Sequence, residues 1–382
     1  MDPIKLLTDI GTQVKHGFVA NRRILSFAEY LSFAEENSSL QARSSAQYLR
    51  DMFDHYGTET VQAHGTTQTH YKLFDCEFDG GRERVIGQET VQHEIYKILS
   101  NFVRERRVTK LIFLHGPNGS AKSTIISAIM RGLANYSHTE EGALYRYNWI
   151  FPTGRTTKGG IGFGDSTELT SIPTFAHLLD EQIDARIKTE MRDHPLFLLP
   201  SKERQVFLEA ALAKDPRGKG FILSDYLRFG NLDHKSKAIF EALLTSYQGD
   251  YLKVLRHVQV ERFYLSRRYK EGLVTVEPQM SVDAGMRQIT MDRSIGSLPA
   301  ALQNTTMFES HGELIDANRG LLEFNDILKR PIEAFKYLLS TCEKATVSLE
   351  NAILYLDEVF IATANEKQLD AFKSIPDFQS FK

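Results

Sequence analysis

Cysteine is almost absent from this chain of 382 residues, with only Cys76 and Cys342 present. The two lie far apart and outside any metal-ligand spacing, which argues against a disulfide framework and against a cysteine-based zinc site. No apolar run approaches the roughly 18 residues of a membrane helix. The opening Met1-Asp2-Pro3-Ile4-Lys5 lacks the basic and apolar segments of a signal peptide, so a cytoplasmic location without membrane contact is expected. Neither sign of charge dominates. Forty-six Lys and Arg stand against forty-nine Asp and Glu, a formal net charge of -3, which gives no overall pull toward nucleic acid or anionic lipid. Internal repeats and low-complexity tracts are missing too. So are the H-R-D loop and the D-F-G triplet that protein-kinase chemistry of the usual type requires.

What is present is ordinary globular material, 42% hydrophobic and 25% charged. The length predicts two or three structural units. From 24 to 56 apolar residues recur at helical spacing, through Phe27, Tyr30, Leu31, Leu49 and Phe53, predicting a helical N-terminal unit over 1–75. Residues 57 to 70 lose that period and gather Gly, Thr, Gln and His, with Asp79-Gly80-Gly81 as a turn behind them. Over 76–150 the pattern is Val85-Ile86-Gly87-Gln88, then an amphipathic helix through Ile95, Ile98, Leu99 and Phe102. The apolar strand Leu111-Ile112-Phe113-Leu114 follows, and then a helix through Ile125, Ile126, Ile129 and Leu133. Residues 151–310 read as an inserted subdomain, mostly helical around 176 to 213 and 235 to 258, strand-like near 263 to 265 and 273 to 276. The closing section, 311–382, holds the strands Gly320-Leu321-Leu322-Glu323-Phe324 and Tyr355-Leu356-Asp357-Glu358-Val359-Phe360-Ile361, separated by a helix over 331 to 342. Strands alternating with helices predict an α/β fold with a parallel sheet.

Between the strand at 111 to 114 and the next helix stands Gly116-Pro117-Asn118-Gly119-Ser120-Ala121-Lys122-Ser123, followed by Thr124. A Gly-rich turn opening a helix aims backbone N–H groups and the positive end of the helix dipole at phosphate oxygens. Lys122 is then placed for the β and γ phosphates and Ser123 for a magnesium ion. The expected ligand is a nucleoside triphosphate, ATP with Mg2+. Ala121 departs from the glycine usual before the lysine; it fits helical space and is strained at positive φ. A metal and an attacking water also need a carboxylate at the end of a neighbouring strand. Two segments compete, Asp357-Glu358 and Asn325-Asp326. The strand holding Asp357 and Glu358 runs on to Ala364-Asn365, where an asparagine could orient a γ phosphate, so Asp326 is the better acidic candidate and Asp357 and Glu358 read as strand-edge acids. Glu323 shares a face with Asn325 in a period-two strand and stays open as a site residue or a structural one.

Together with Phe27-Ala28-Glu29-Tyr30-Leu31, Glu190-Met191-Arg192-Asp193-His194-Pro195, Ala317-Asn318-Arg319-Gly320-Leu321-Leu322-Glu323-Phe324 and Ala364-Asn365-Glu366, the loop gives a chain that resembles the AAA+ ATPase module of the PrkA family, bacterial proteins known as serine protein kinases. The resemblance covers nearly everything from Phe27 onward. It implies an AAA+ P-loop core with a helical N-terminal unit and a large, mostly helical insertion. It makes 116 to 123 the Walker A loop, Asn325-Asp326 the Walker B position and Asn365 sensor 1, with Lys122, Asp326 and Asn365 as catalytic residues and Ser123 and Asp326 at the metal. Val85, Ile86 and Gly87 resemble the stretch that lines the adenine pocket. A ring-shaped homo-oligomer and a place in bacterial stress signalling come with it. Two departures bear on turnover: Asn325 stands where a metal-coordinating aspartate is usual, and Asp326 is one carbon shorter than the usual glutamate.

About 200 residues separate Lys122 from Asp326, far more than one βαβ crossover needs, so a large insertion is expected independently of the resemblance. The chain stops soon after Asn365, before an arginine finger, a lid, sensor 2 and a kinase-like region, and is expected to be a piece of a longer protein. Two other readings stay open: a non-hydrolysing nucleotide switch, and a motor acting on polypeptide or nucleic acid through the basic aromatic stretch Arg262, Phe263, Tyr264, Arg267, Arg268, Tyr269 and Lys270. The glycine-rich stretch 153 to 164 fits no kinase glycine-loop register and reads as a loop. His194 and His257 lack metal-site spacing and read as packing residues.

Overall fold

The computed structural model describes residues 7–12, 24–63, 65–81, 84–153, 174–279, 284–288, 308–330, 341, 344–349 and 353–374. The chain enters through a short strand, β1 (Ile24–Ser26), and the helix Phe27–Glu36. Ser26 caps that helix in a reciprocal pair with Glu29, which satisfies two N-terminal amides at once. The helix Ser45–Tyr56 leads into a hairpin, β2 (Thr58–Ala63) and β3 (Thr66–Tyr71). Then come the helix Glu89–Glu105, β4 (Ile112–Gly116), the helix Lys122–His138 and β5 (Leu144–Pro152). β6 (Ile183–Lys188) precedes the helices Ser201–Lys214 and His234–Ser246 and the strands β7 (Val258–Phe263) and β8 (Leu273–Val276). A ribbon of β9 (Gly285–Gln288) and β10 (Phe308–His311) follows. β11 (Leu321–Phe324), the small pair β12 (Thr346–Ser348) and β13 (Ile353–Tyr355), β14 (Val359–Asn365) and the helix Glu366–Lys373 complete the order.

Two four-stranded sheets organise these elements. One is parallel, in the order β4-β14-β11-β8. All of β11 and nearly all of β14 are buried, as expected when both faces of a parallel sheet are covered. Its core joins Ile112, Ile126, Ile129, Leu133, Leu322 and Ile361. The other sheet is antiparallel, β1-β7-β5-β6, around a separate core of Phe27, Tyr30, Tyr147, Trp149, Val258 and Val260.

At the N-terminal edge of the parallel sheet the two cores are tied by buried polar groups. Arg192 Nη2 donates to the carbonyls of Ile315, Asp316 and Asn318 at 2.7, 2.9 and 2.9 Å. Arg319 Nη1 donates to the carbonyls of Tyr145 and Arg192, and Asn318 Nδ2 to that of Met191 at 2.6 Å. Asn318 Oδ1 accepts from the amide of Asp357 at 2.8 Å. Gly320 is required here, because a Cβ on it would lie 1.9 Å from the carbonyl oxygen of Gly272.

The structure departs from the sequence pattern in three places. Residues 57 to 70 form the β2–β3 hairpin, its Thr and Val content favouring strand once a helix is there to pack against. The stretch 176 to 213 is not continuously helical: β6 occupies 183–188 and a helix begins only at Ser201. The described region from 174 to 279 therefore combines its helices with β6 and β7 of the antiparallel sheet and β8 of the parallel one. The expected strand through Tyr355 and Ile361 is broken, with β13 ending at Tyr355 and β14 starting at Val359. Asp357 and Glu358 stand at the entry to β14, drawn into the interior and buried. The expected helix over 331 to 342, save Thr341, and the glycine-rich stretch, save Thr153, lie outside the described residues.

Candidate nucleotide site

β4 delivers its last residue, Gly116, to the carboxyl edge of the parallel sheet, and the loop to Ala121 turns the chain into a 17-residue helix beginning at Lys122. The loop's own bonds fix its shape: Ser120 Oγ donates to the Pro117 carbonyl at 2.9 Å. A Cβ on Gly116 would meet Ser120 Oγ at 3.1 Å. Lys122 Nζ donates to the carbonyls of Gly116 and Pro117 at 3.0 and 2.7 Å and to Ser120 Oγ at 3.2 Å. The ammonium thus stands over the mouth of the loop, where phosphate oxygens could replace those acceptors. Ser123 is exposed on the first turn and Thr124 is half-buried. Ala121 takes left-handed backbone angles, φ 61° and ψ 14°, the strained alternative, at a cost of about 1–2 kcal/mol for a residue with a Cβ.

Beside the loop, a cleft of about 320 Å³ runs between β4 and the Glu89–Glu105 helix, at the small end of the range for ligand pockets. Gln88, Thr90, Val91, Ile112, Leu114 and Lys122 contribute to its walls. Val85, Ile86 and Gly87 stand just before this wall. Val85 is buried and its amide donates to the Phe74 carbonyl, Ile86 is 92% exposed, and the Gly87 carbonyl accepts from Gln92 Nε2. Gln88, unremarkable in the sequence, is the residue of this segment that reaches the cleft.

The parallel register pairs Asn365 with Gly116, so Asn365 ends its strand beside the phosphate loop, and its Nδ2 donates to Asn118 Oδ1 at 2.8 Å. Two residues back on β14, Thr363 Oγ1 donates to Asn325 Oδ1 at 3.2 Å and accepts from the amide of Asp326 at 3.0 Å. Asn325 Nδ2 donates to Glu277 Oε2 at 2.8 Å. Asp326, at φ 45°, accepts from Lys329 Nζ at 2.5 Å. Lys122, Asn118 and Asn365 are therefore one constellation. Asn325, Asp326 and Glu277 are a second: Asn325 and Asp326 follow β11, two strands or about 10 Å from β4 across the sheet, and Glu277 follows β8, one strand farther. Glu277 and Thr363 escaped the sequence reading. Glu277 follows β8 as a polar residue closing an apolar strand, and that is a usable signal, but its adjacency to Asn325 depends on strand order. Glu323 instead accepts from Thr275 Oγ1 at 2.7 Å and lies 3.5 Å from Arg267; burial raises its pKa.

Of the basic and imidazole groups, Arg262 is buried and donates to Glu140 and to the carbonyls of Ser137 and Thr139, and Lys270 pairs with Glu313, while Arg267, Arg268, Tyr269 and Lys270 stay exposed. His194 Nε2 lies 2.8 Å from the Gln41 carbonyl, and His257 bridges the Ile150 carbonyl and the Tyr247 hydroxyl. Burial holds the His194 imidazole well below the usual pKa and that of His257 near about 4.

A phosphate loop opening a helix at the carboxyl edge of a parallel sheet, with a polar strand end beside it, defines a nucleotide-binding α/β P-loop unit of the AAA class. The family model described as the PrkA AAA domain matches residues 159–381, and the chain belongs to that family. Its phosphate loop precedes the matched stretch and stands on its pattern and geometry. The chain is also 22% identical over 352 residues to the "ATP-dependent protease PrkA" of Bacillus subtilis (strain 168), an alignment covering 91% of this chain and 45% of that protein. It therefore spans less than half the length of that curated relative. Among the described residues, no helix is long and apolar enough to cross a membrane.

Proposed function

We propose that this chain is the ATP-binding unit of a PrkA-like protein and hydrolyses ATP when assembled or joined to the rest of its protein. The observation that carries the reading is the three-acceptor placement of Lys122 Nζ over a loop whose Gly116 is in register with Asn365. Lys122 and the loop amides hold the triphosphate, and the exposed Ser123 hydroxyl and the Asp326 carboxylate are the oxygen donors that would hold magnesium, whose chemistry when bound is to neutralise phosphate charge; Glu277, one strand farther from the loop, positions Asn325. Asn365 senses the γ phosphate from beside Asn118, and Gln88 meets the base side of the cleft with Val85, Ile86 and Gly87 behind it. Homo-oligomeric assembly, a cytoplasmic bacterial setting and a role in stress signalling belong to the proposal through the family resemblance. A polypeptide is the favoured object of the ATP-driven step, since the related protein carries the name of an ATP-dependent protease; serine-kinase chemistry has no supporting residues here.

A second reading, a switch that binds ATP without turnover, is favoured by one observation. Asn325 replaces a metal-binding aspartate and Asp326 is already paired with Lys329. Single-turnover hydrolysis in the longest soluble form separates the two readings. Turnover above the Lys122→Ala background that falls in Glu277→Gln or Asp326→Asn supports hydrolysis; tight ATP binding with turnover equal to that background supports the switch; no ATP binding at all removes both.

A further inference from the structure

The β2–β3 hairpin carries a polar cluster that the nucleotide site does not use. Glu59 and His70 are direct partners across the hairpin, and Asp75 ends the short 3-10 turn Lys72–Asp75 that follows β3. Their ligand-capable atoms all lie within 4.8 Å of one another. His70 is 7% exposed, so its ring is held by its surroundings, while Glu59 is exposed. Its Nε2 lies 2.7 Å from Asp75 Oδ2. Its Nδ1 lies 3.3 Å from Glu89 Oε1, at the first residue of the Glu89–Glu105 helix, and makes no geometrically sound hydrogen bond. Three carboxylates thus surround one imidazole. The cation recorded beside them is Arg84, 3.8 Å from Asp75 Oδ1 and largely exposed, so the cluster carries excess negative charge around a buried ring.

We propose that Glu59, His70 and Asp75 form a site for a divalent transition metal of the zinc type, with Glu89 as the group that orients the His70 ring. Without metal, Nε2 donates its proton to Asp75 Oδ2 at 2.7 Å; a bound cation takes the Nε2 lone pair, the ring proton then sits on Nδ1, and Glu89 Oε1, already 3.3 Å away, turns to accept it, the arrangement that fixes the tautomer of a metal-bound histidine. Imidazole with carboxylate oxygens suits zinc and its neighbours in the series more than magnesium or calcium, which take oxygen alone. Bonds of about 2.0–2.2 Å put the ligand atoms about 3.5 Å apart, so the Nε2–Oδ2 pair opens from 2.7 Å while the exposed Glu59 side chain rotates inward. Three protein ligands leave a fourth position for water.

Cobalt is the probe. Co2+ titrated into the full chain without nucleotide is expected to give saturable visible d–d bands at one ion per chain, bleached by Zn2+. Glu89→Gln is expected to weaken binding about 10-fold to 100-fold, and Glu59→Gln at least as much. Because Glu59 is exposed, that variant keeps its fold by circular dichroism even where His70→Ala does not. Lys122→Ala should leave the bands unchanged, which separates this site from the phosphate loop. Absence of saturable bands, or bands of equal strength in Glu59→Gln and Glu89→Gln, would overturn the proposal in favour of an ion-paired histidine.

Discussion

The two ends of the parallel sheet use the same residue types for opposite purposes. At the carboxyl edge, Lys122, Asn365 and Asp326 are partly exposed and bonded to accessible groups at the mouth of the site that a ligand can replace. At the amino edge, Arg192, Asn318, Arg319 and Asp357 are buried and bonded mainly to backbone groups of distant segments. A charge on a strand end is thus available for chemistry at one edge and committed to joining two cores at the other. Burial, rather than residue type, separates the roles.

The strongest challenge to this contrast is Arg192→Ala. Three carbonyls lose their donor in a buried site, so unfolding in urea is expected to show a loss of about 3–5 kcal/mol; a loss under about 1 kcal/mol would mean the edge is not a lock. Acidity tests it next. Burial outweighs the bonds from Ser45 and raises the Asp357 carboxyl to about 6, and it pushes Glu358 up as well. An acid whose folded pKa lies above its unfolded value of about 3.9 favours the native state when protonated. Its contribution is therefore greatest at low pH and is lost as pH rises from about 4 through about 6, by about 3 kcal/mol for Asp357. Asp357→Asn should flatten that part of the stability profile measured in urea at a series of pH values; an unchanged slope would place the carboxylate in water.

At the open edge the effects move to binding. Lys122→Ala is expected to weaken ATP about 10-fold to 100-fold by calorimetry, from the loss of charge-assisted bonds of about 1.5–3 kcal/mol, with the urea midpoint nearly unchanged. A large stability loss in this variant would erase the difference between the edges. The smallest effect is expected from Ala121→Gly, which relieves a left-handed Ala at some cost in unfolded-chain entropy, a net gain of about 0.5–1 kcal/mol with ATP affinity retained.

The phosphate loop was legible because it is local: strand, turn and helix are contiguous, and each step has its own composition signal. Asn365 was legible as the polar end of an apolar strand. Glu277 and Thr363 were not, since their meeting with Asn325 depends on β11 lying between β8 and β14. The burial of Asp357 was hidden for the same reason. Its two bonding partners on Ser45 are separated from it by 312 residues, and without Ser45 an acidic pair before a strand looks solvent-exposed. The polar hairpin at 58 to 71 lacked an apolar stripe, and β6 hid inside a pattern with helical spacing, because its partner β5 alone reveals it as a strand.

Asn365 does one further thing: its side-chain oxygen caps the helix Glu366–Lys373 by accepting from Lys367 at 3.1 Å, and that helix has no buried residue. Such a cap is worth about 1 kcal/mol, a sizeable contribution for an eight-residue helix none of whose residues is fully buried. A ligand that turns the Asn365 side chain toward itself would take its oxygen from this cap, so occupancy at the phosphate loop is expected to fray the roughly two turns over 366–373 and to raise amide exchange there.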